Sequence, residues 1–289
     1  MLDLDHLNSL HPPTAPLDRR AIVKASLTVG FCAAVAPVWA QVIQTSAEGL
    51  VAGEVRVPSS GADIPAYRAM PDRGGPFPAV LVIHEIFGVH EYIKDVCRRW
   101  AKLGYYAIAP DLYARQGDAS KETDITRLMA EIVAKVPDAQ VAGDLDATFA
   151  FAGGSGSADV GRAAVTGFCW GGRQAWLYAA HNPALKAGVA WYGPLAYKSD
   201  PLHPDNPPDI VASLKVPVLG LYGGKDTGIT PAQVDSMKDR LAAAGGASKI
   251  IVFADSGHAF HADYRPSYHE GDAKASWTLA TAWLKDHGV

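Results

Sequence analysis

The chain has 289 residues, of which 48% are hydrophobic and 19% are charged, and its formal net charge is −4. This composition is that of an ordinary globular protein and excludes a disordered chain, a collagen and a coiled coil. The negative net charge argues against a nucleic-acid partner, because phosphate binding needs a basic surface. The three cysteines, Cys32, Cys97 and Cys169, are too few to form a disulfide framework.

Residues 1–40 differ from the rest of the chain. Arg19 and Arg20 precede an apolar stretch of about 12 residues, and Ala40 supplies a small residue after it. That order is typical of a twin-arginine export signal, and the stretch is too short to span a bilayer of ~30 Å. We therefore predict an export signal over residues 1–40, a mature protein without a membrane segment, and a periplasmic or secreted location. The alternative is an N-terminal extension that stays on the protein.

Residues 41–289 alternate strands with helices and are predicted to form a single α/β domain. The predicted strands are a hairpin of Glu54–Val57 and Ile64–Met70, followed by Ala79–Ile83, Tyr105–Ala109, Ala163–Gly167, Ala187–Trp191, Val216–Tyr222 and Lys249–Phe253. The predicted helices are Tyr92–Leu103, Lys121–Ala134, Ala139–Ala152, Gly172–Ala180, one from Pro231 to near Ala244, and a C-terminal helix that a capping box from Ser267 to Glu270 opens. Strands separated by helices predict a mostly parallel sheet with helices on both faces, and in such sheets reactive groups gather at the carboxyl edge.

One motif at this edge has the pattern of a nucleophile elbow. The segment 167–172, Gly-Phe-Cys-Trp-Gly-Gly, joins a predicted strand to a predicted helix, with Cys169 where serine is more usual. The flanking glycines are needed because the turn is too sharp for a Cβ. The N-terminus of the following helix favours a thiolate. The alternative is a tight turn that carries a buried free cysteine.

Two further residues complete a catalytic triad. Asp226 follows the strand that ends at Tyr222, and His258 follows the strand that ends at Phe253. Nucleophile, acid and histidine thus come in the chain order expected of this architecture. The histidine must reach the thiol, and the acid must hold the tautomer of the imidazole. Asp226 alone could be a loop cap and His258 alone a surface histidine, whereas Asp255 is too close in sequence to His258 to serve as the acid.

The oxyanion formed during acyl transfer also needs donors. The segment that leaves the strand Ala79–Ile83 lies where this architecture supplies one backbone N–H group, and the residue after the nucleophile supplies the other. We therefore assign the backbone N–H groups of Ile86 and Trp170 to the oxyanion hole.

Four segments together resemble the dienelactone hydrolase (carboxymethylenebutenolidase) family: 84–88 (His-Glu-Ile-Phe-Gly), 109–115 (Ala-Pro-Asp-Leu-Tyr-Ala-Arg), 167–172, and 257–260 (Gly-His-Ala-Phe). The resemblance runs from about Gly53 to the C-terminus. It implies an α/β-hydrolase fold and a small esterase that acts on cyclic enol esters. It also implies that Glu85 interacts with the thiol and helps to generate the thiolate, and that Arg115 grips a substrate carboxylate.

The sequence departs from the family pattern at a second substrate-binding arginine, expected shortly after the catalytic histidine. Either Arg265 or His261 takes its place, or the pocket does not prefer such an anionic substrate. Four aromatic residues near strand ends are candidates to line the pocket, although aromatics there are as often plain core: Phe87, Trp170, Trp191 and Tyr192.

These residues predict a hydrolase of small esters or lactones that works through an acyl-enzyme, as a monomer or a small homo-oligomer. The histidines lack the spacing of a metal site, and no cofactor motif is present, so we expect neither a metal nor a cofactor. One alternative is a non-catalytic protein that binds a small ligand in the same cleft. Another, a redox role for Cys169, lacks a Cys-x-x-Cys pair.

Overall fold

A computed structural model describes residues 43–289, and these form one sheet covered by helices. The predicted export signal, residues 1–40, lies outside the described residues. The strands are β1 (Leu50–Ser59), β2 (Ala62–Pro71), β3 (Phe77–Ile83), β4 (Tyr106–Pro110), β5 (Ala158–Phe168), β6 (Ala187–Trp191), β7 (Val218–Gly223) and β8 (Lys249–Phe253). The main helices are α1 (Glu91–Lys102), α2 (Asp138–Gly154), α3 (Trp170–His181), α4 (Pro231–Ala244) and α5 (Glu270–Asp286).

The sheet has the strand order β1-β2-β4-β3-β5-β6-β7-β8. The β1–β2 and β2–β4 pairs are antiparallel, and the other pairs are parallel. The crossover from β3 to β4 and those from β5 onward run in opposite directions along the sheet. Because such crossovers are right-handed in nearly all proteins, this order places helices on both faces. The indole rings of Trp100 in α1 and Trp277 in α5 lie 4.6 Å apart, so these two helices share one face. The mostly parallel sheet is thus confirmed.

The first two strands form the predicted hairpin, extended at both ends. The turn between them contains Ser60 and Gly61, which both have positive φ, 30° and 80°. Positive φ at both central residues gives the twist that joins antiparallel strands. In the centre of the sheet, the last five residues of β3 are all buried, which explains their uninterrupted apolar sequence.

Helix ends follow local sequence signals. The Thr230 hydroxyl accepts a hydrogen bond from the Gln233 N–H, and the Gln233 side chain accepts one from the Thr230 N–H, which forms a capping box. Gly245 ends the same helix in the left-handed region. Gly104, predicted to stop α1, likewise has a φ of 95°.

Two helix predictions were wrong. The regular helix predicted over Lys121–Ala134 is instead a series of short turns, with 3-10, α and π geometry in succession. Asp118 and Asp124 are the N-caps of the first 3-10 turn and of the α turn, and their side chains accept backbone N–H groups there. The predicted capping box at Ser267 is also wrong, because the N-cap of α5 is His269, whose Nδ1 accepts the N–H of Asp272.

The segment before β1 is tied to the surface of α1. The backbone N–H and the hydroxyl of Thr45 both donate to the buried carboxylate of Asp95. Asp95 also pairs with Arg99, 2.6 Å from Nε, and the Arg99 guanidinium pairs in turn with Asp263. We name Thr45, Asp95, Arg99 and Asp263 the N-terminal tie. Among residues 43–289, every helix is too short or too polar to cross a bilayer.

Candidate active site

Cys169 lies at the tight turn between β5 and α3. Its backbone angles are φ 53° and ψ −121°, a strained conformation for a residue with a side chain. Its N–H donates to the carbonyl of Trp191 (3.0 Å), and its own carbonyl accepts the N–H of Gly172 (2.8 Å). These bonds hold the sulfur at the carboxyl edge of the sheet and at the start of α3.

The glycines beside the elbow are required by close backbone contacts. A Cβ on Gly167 would lie 2.0 Å from the Gly171 carbonyl oxygen, and one on Gly171 would lie 2.5 Å from the carbonyl oxygens of Ile83 and His84. Neither distance is possible between non-bonded atoms. The sharpness of the turn inferred from the sequence is therefore present in the structure.

The structure brings together Cys169, His258 and Asp226, which follow β5, β8 and β7. His258 Nε2 lies 3.2 Å from Cys169 Sγ, and His258 Nδ1 lies 2.7 Å from Asp226 Oδ2. The other carboxylate oxygen, Oδ1, accepts the N–H groups of Gly228 (2.9 Å) and Ile229 (3.0 Å). The carboxylate is thus fixed by the backbone on one side and orients the imidazole on the other.

The charges of this group are mutually stabilised. Burial alone would raise the pKa of Asp226, but the charge of His258 and the hydrogen bonds to the carboxylate bring that pKa below its ordinary value. Burial alone would lower the pKa of His258, whereas the charges of Asp226 and Cys169 raise it above 6.5. Both shifts favour an ionised carboxylate paired with a charged imidazolium.

The loop after β3 supplies a candidate oxyanion donor. Among residues 43–289, no hydrogen bond uses the N–H of Ile86 or that of Trp170, so both remain available as donors. His84 fixes this loop through both ring nitrogens. Its Nε2 accepts the N–H of Leu112 (3.1 Å), so its Nδ1 carries the proton and donates to the Glu85 carbonyl (2.7 Å). Burial lowers the pKa of His84 to about 4, so the ring is neutral and structural.

Two side chains that the sequence did not link to Glu85 contact its carboxylate. The Tyr264 hydroxyl donates to its Oε2 (2.5 Å), and His90 Nε2 lies 3.3 Å from the same oxygen. Burial would raise the pKa of Glu85, but the contact with His90 and the charge of Arg265 lower it. Its side chain is thus a buried carboxylate within this cluster, and none of its hydrogen bonds among the described residues reaches Cys169.

Arg265 belongs to the same cluster. Its guanidinium carbon lies 4.9 Å from the ring centre of Phe87, and its charge acts on both Glu85 and Cys169. His261 lies elsewhere, fully surrounded by aromatic rings, with Nδ1 2.6 Å from the Tyr92 hydroxyl. Of the two residues considered for the second substrate-binding cation, the structure brings only Arg265 to the site.

The guanidinium of Arg115 contacts other groups of the protein in the structure. Its Nη1 lies 2.6 Å from Oδ2 of the buried Asp144, and its Nη2 donates to the Ser59 carbonyl (3.0 Å). These bonds tie the loop after β4 to α2 and to the end of β1. The guanidinium is thus engaged in contacts within the protein, and the substrate-binding role that the resemblance implied stays a prediction.

The other predicted lining residues have different positions. Phe87 is half-buried beneath Arg265, as a lining residue could be. Trp191 is fully buried, and its Nε1 donates to the Thr166 hydroxyl (2.9 Å), so its ring packs in the core, and its role as a lining residue stays a prediction. Tyr192 is also fully buried, and its ring lies edge-on against that of His258 at 5.3 Å, where it supports the imidazole rather than substrate.

The sequence analysis missed His90 and Tyr264 as partners of Glu85. His90 lies only five residues from Glu85, and that spacing within a loop was the available signal. Tyr264 is remote in sequence, and only its position beside Arg265 could have drawn attention to it. Among residues 43–289, no three His, Cys, Asp or Glu side chains are grouped so that they could hold a metal ion.

Comparison with known proteins shows to which family the chain is similar. Residues 64–288 match the model of the dienelactone hydrolase family. A protein of Methylorubrum extorquens named "Putative carboxymethylenebutenolidase" is 58% identical over 98% of this chain and 97% of its own length. A protein of Escherichia coli K12 with the same name is 50% identical over 90% of this chain and 96% of its own length.

A solved structure agrees with these sequence matches. The crystal structure named "Putative Dienelactone Hydrolase" from Klebsiella pneumoniae is 52% identical and superposes with a TM-score of 0.80 over 82% of this chain and 98% of that one. The fold is the α/β-hydrolase fold, and the relatives are carboxymethylenebutenolidase-like carboxylic ester hydrolases. The chain therefore belongs to the dienelactone hydrolase family.

Proposed function

We propose that the protein hydrolyses small carboxylic esters or lactones through an acyl-enzyme on Cys169. The observation that carries the proposal is the alignment of three groups, with His258 3.2 Å from the sulfur and Asp226 2.7 Å behind the imidazole. A nucleophile, its base and an orienting carboxylate in contact are the requirements of covalent acyl transfer. A protein that merely binds a ligand requires none of these contacts.

The reaction begins with attack of the Cys169 thiolate on the substrate carbonyl. The resulting oxyanion accepts the N–H groups of Ile86 and Trp170, each of which is worth about 3–4 kcal/mol of transition-state stabilisation. The tetrahedral intermediate then expels the alcohol or enol oxygen, which takes the proton of His258. In a lactone the expelled oxygen stays attached to the acyl group, so the ring opens.

The second half of the reaction releases the acid. His258 removes a proton from water, and the hydroxide attacks the thioester carbonyl. The carbon–sulfur bond breaks, the carboxylic acid leaves, and Cys169 returns to the thiolate beside the imidazolium. Asp226 keeps Nδ1 of His258 protonated throughout, so Nε2 is the atom that receives and returns the proton.

The test is to trap the acyl group. We expect mass spectrometry of the protein, quenched during turnover of 4-nitrophenyl acetate, to find one acetyl group on Cys169. Cys169→Ala should abolish turnover and labelling while leaving the fold intact. The matched control is Cys97→Ala, because Cys97 is a fully buried thiol whose pKa burial raises, and this variant should keep both. Unchanged ester hydrolysis in Cys169→Ala would contradict the proposal.

We also propose that the protein is exported. The support is the order of Arg19-Arg20, the apolar stretch and Ala40 in the sequence. Intact-mass measurement of the protein isolated from its cells tests this, with loss of residues 1–40 as the expected result. A cellular protein that still begins at Met1 would count against export with cleavage.

A further inference from the structure

The peptide unit between Glu85 and Ile86 is held from its oxygen side. The Glu85 carbonyl accepts two hydrogen bonds, from Nδ1 of His84 (2.7 Å) and from the N–H of Gly88 (3.3 Å). This peptide is trans, and the C=O and N–H groups of a planar trans peptide point in opposite directions. The groups that hold the Glu85 oxygen therefore also set the direction of the Ile86 N–H, which the proposed mechanism uses as an oxyanion donor.

Of the two donors to this oxygen, His84 is the one that a third group fixes. The N–H of Leu112, which follows β4, donates to Nε2 of His84 (3.1 Å). A backbone N–H can only donate, so Nε2 is the acceptor and the single proton of the neutral ring lies on Nδ1. Burial lowers the pKa of His84 to about 4, which keeps the ring neutral above that pH. Leu112 thus ensures that Nδ1 donates to the Glu85 carbonyl.

The same ring contacts the residue that supplies the second oxyanion donor. The imidazole of His84 and the indole of Trp170 are stacked, with ring centres 5.4 Å apart and planes 15° apart. The ring of Tyr113 meets the imidazole edge-on at 4.6 Å. Two hydrogen bonds and two ring contacts therefore hold the fully buried side chain of His84 in one orientation.

The Ile86 N–H needs such support because it has no acceptor of its own among residues 43–289. Ile86 is 1% exposed, and an unpaired N–H on a buried residue is unfavourable. A rotated peptide could relieve this cost by turning the N–H towards another acceptor. The two hydrogen bonds on the Glu85 carbonyl oppose that rotation.

We propose, building on the acyl-transfer function above, that His84 is a positioning residue that keeps the Ile86 N–H directed at the oxyanion. Both ring nitrogens of His84 are engaged by backbone groups, so it acts through the Glu85–Ile86 peptide and not on the substrate. Loss of His84 should therefore slow the reactions of Cys169 that form an oxyanion and spare those that form none.

Two reactions of Cys169 separate these effects. Acylation by 4-nitrophenyl acetate passes through a tetrahedral oxyanion, whereas alkylation by iodoacetamide displaces iodide directly and forms none. In His84→Leu we expect the acylation rate constant, measured from the pre-steady-state burst, to fall by about 10²-fold, the usual loss of one oxyanion donor. The alkylation rate constant should stay within about twofold of wild type, because it depends on the thiolate. An unchanged acylation rate, or equal losses in both reactions, would overturn the inference.

His84→Gln is the matched variant. Like leucine, glutamine has no ring, but its amide can both accept the N–H of Leu112 and donate to the Glu85 carbonyl. We expect acylation in this variant to be about tenfold or more faster than in His84→Leu. A glutamine variant that is no faster would overturn the inference, because ring packing and not hydrogen bonding would then be responsible.

A measurement on the wild type does not depend on how the variants fold. Nitrogen-15 NMR of the histidine rings should find His84 neutral and protonated on Nδ1, and a proton on Nε2 would overturn the inference. A wild-type protein that is alkylated but never acylated would contradict the proposed function instead, and the tautomer would still test the hydrogen bonds of His84.

Discussion

The imidazole of His258 has two different partners, and each ring nitrogen has one task. Nδ1 faces Asp226, and Nε2 faces the sulfur of Cys169. Because the Asp226 carboxylate is itself fixed by two backbone N–H groups, it cannot rotate away when the imidazole exchanges its proton. In the proposed mechanism, Asp226 thus determines which ring nitrogen of His258 is basic.

The substitution Asp226→Asn should therefore remove the tautomer control while keeping the shape of the site. We expect kcat/KM for a simple aryl ester to fall by roughly 10²–10⁴-fold, the usual contribution of general acid–base catalysis. The matched control is Asp255→Asn, because Asp255 is exposed and pairs only with Lys225 in the structure. Equal losses in both variants, measured by steady-state kinetics, would refute the assigned role of Asp226.

The three residues of the proposed triad could be found from sequence because their signals are local. Cys169 lies between glycines that the turn requires, and Asp226 and His258 each follow a strand. The position of Arg115 could not be predicted in this way, since Arg115 lies in a loop, its partner Asp144 belongs to α2, and nothing in the local sequence links them. The same holds for Tyr264, which reaches Glu85 across a sequence separation of 179 residues.

At the scale of elements, the elbow depends on how closely α3 approaches β3. The Cα of Gly171 lies so near the last residues of β3 that no side chain fits between them. Arg173 holds the same helix from the other side, with both terminal nitrogens on the Asp138 carboxylate at 2.6 and 2.7 Å. The position of the sulfur is thus set by a backbone contact and a buried ion pair.

The substitution Gly171→Ala tests this packing. Its Cβ would meet two carbonyl oxygens at 2.5 Å, so the helix must move away from β3. We expect a loss of about 3 kcal/mol or more in the free energy of unfolding, measured by urea denaturation, together with loss of activity.

The matched control is Gly143→Ala in the middle of α2, where an added Cβ meets nothing within 4 Å. This variant should gain about 0.5–1 kcal/mol, since alanine is the better helix former. A tolerated Gly171→Ala would show that the contact is less rigid than these distances require.

Most elements could be predicted from hydrophobic runs and caps, and β6 and β8 have the predicted bounds. The exception is the segment of short turns after β4. Its apolar residues are spaced as in a helix, but Asp118 and Asp124 cap two separate short turns, and the helical geometry changes along the segment. Capping by aspartate is hard to recognise in a sequence, because aspartate is also common on helix surfaces.

For the whole molecule, buried histidines connect stability to pH. Burial, followed by the charge of Arg99, holds the pKa of His261 well below 6.5, so the ring is neutral in the folded protein. In the unfolded chain it takes up a proton below pH 6.5, and that proton favours unfolding. The contribution of His261 to stability is therefore complete above pH 6.5 and declines as the pH falls below it.

The substitution His261→Phe should weaken this dependence. The ring fits among Phe168, Trp191 and Trp277, although the Tyr92 hydroxyl loses its partner at every pH. Between pH 7 and pH 5, the free energy of unfolding of the wild type should fall by about 2 kcal/mol more than that of the variant. The difference arises because one proton taken up by the unfolded chain changes this free energy by about 1.4 kcal/mol per pH unit below 6.5. Parallel curves from denaturation at the two pH values would contradict this.

The N-terminal tie has a practical consequence for producing the protein. Thr45 supplies two of the hydrogen bonds that surround the Asp95 carboxylate, and Arg99 links that carboxylate to Asp263, next to the Tyr264–Arg265 pair. A recombinant form trimmed past Thr45 would expose Asp95 to water and loosen the loop that carries Arg265. Purified enzyme should therefore begin no later than Ile43, and any affinity tag at that end needs a spacer before this residue.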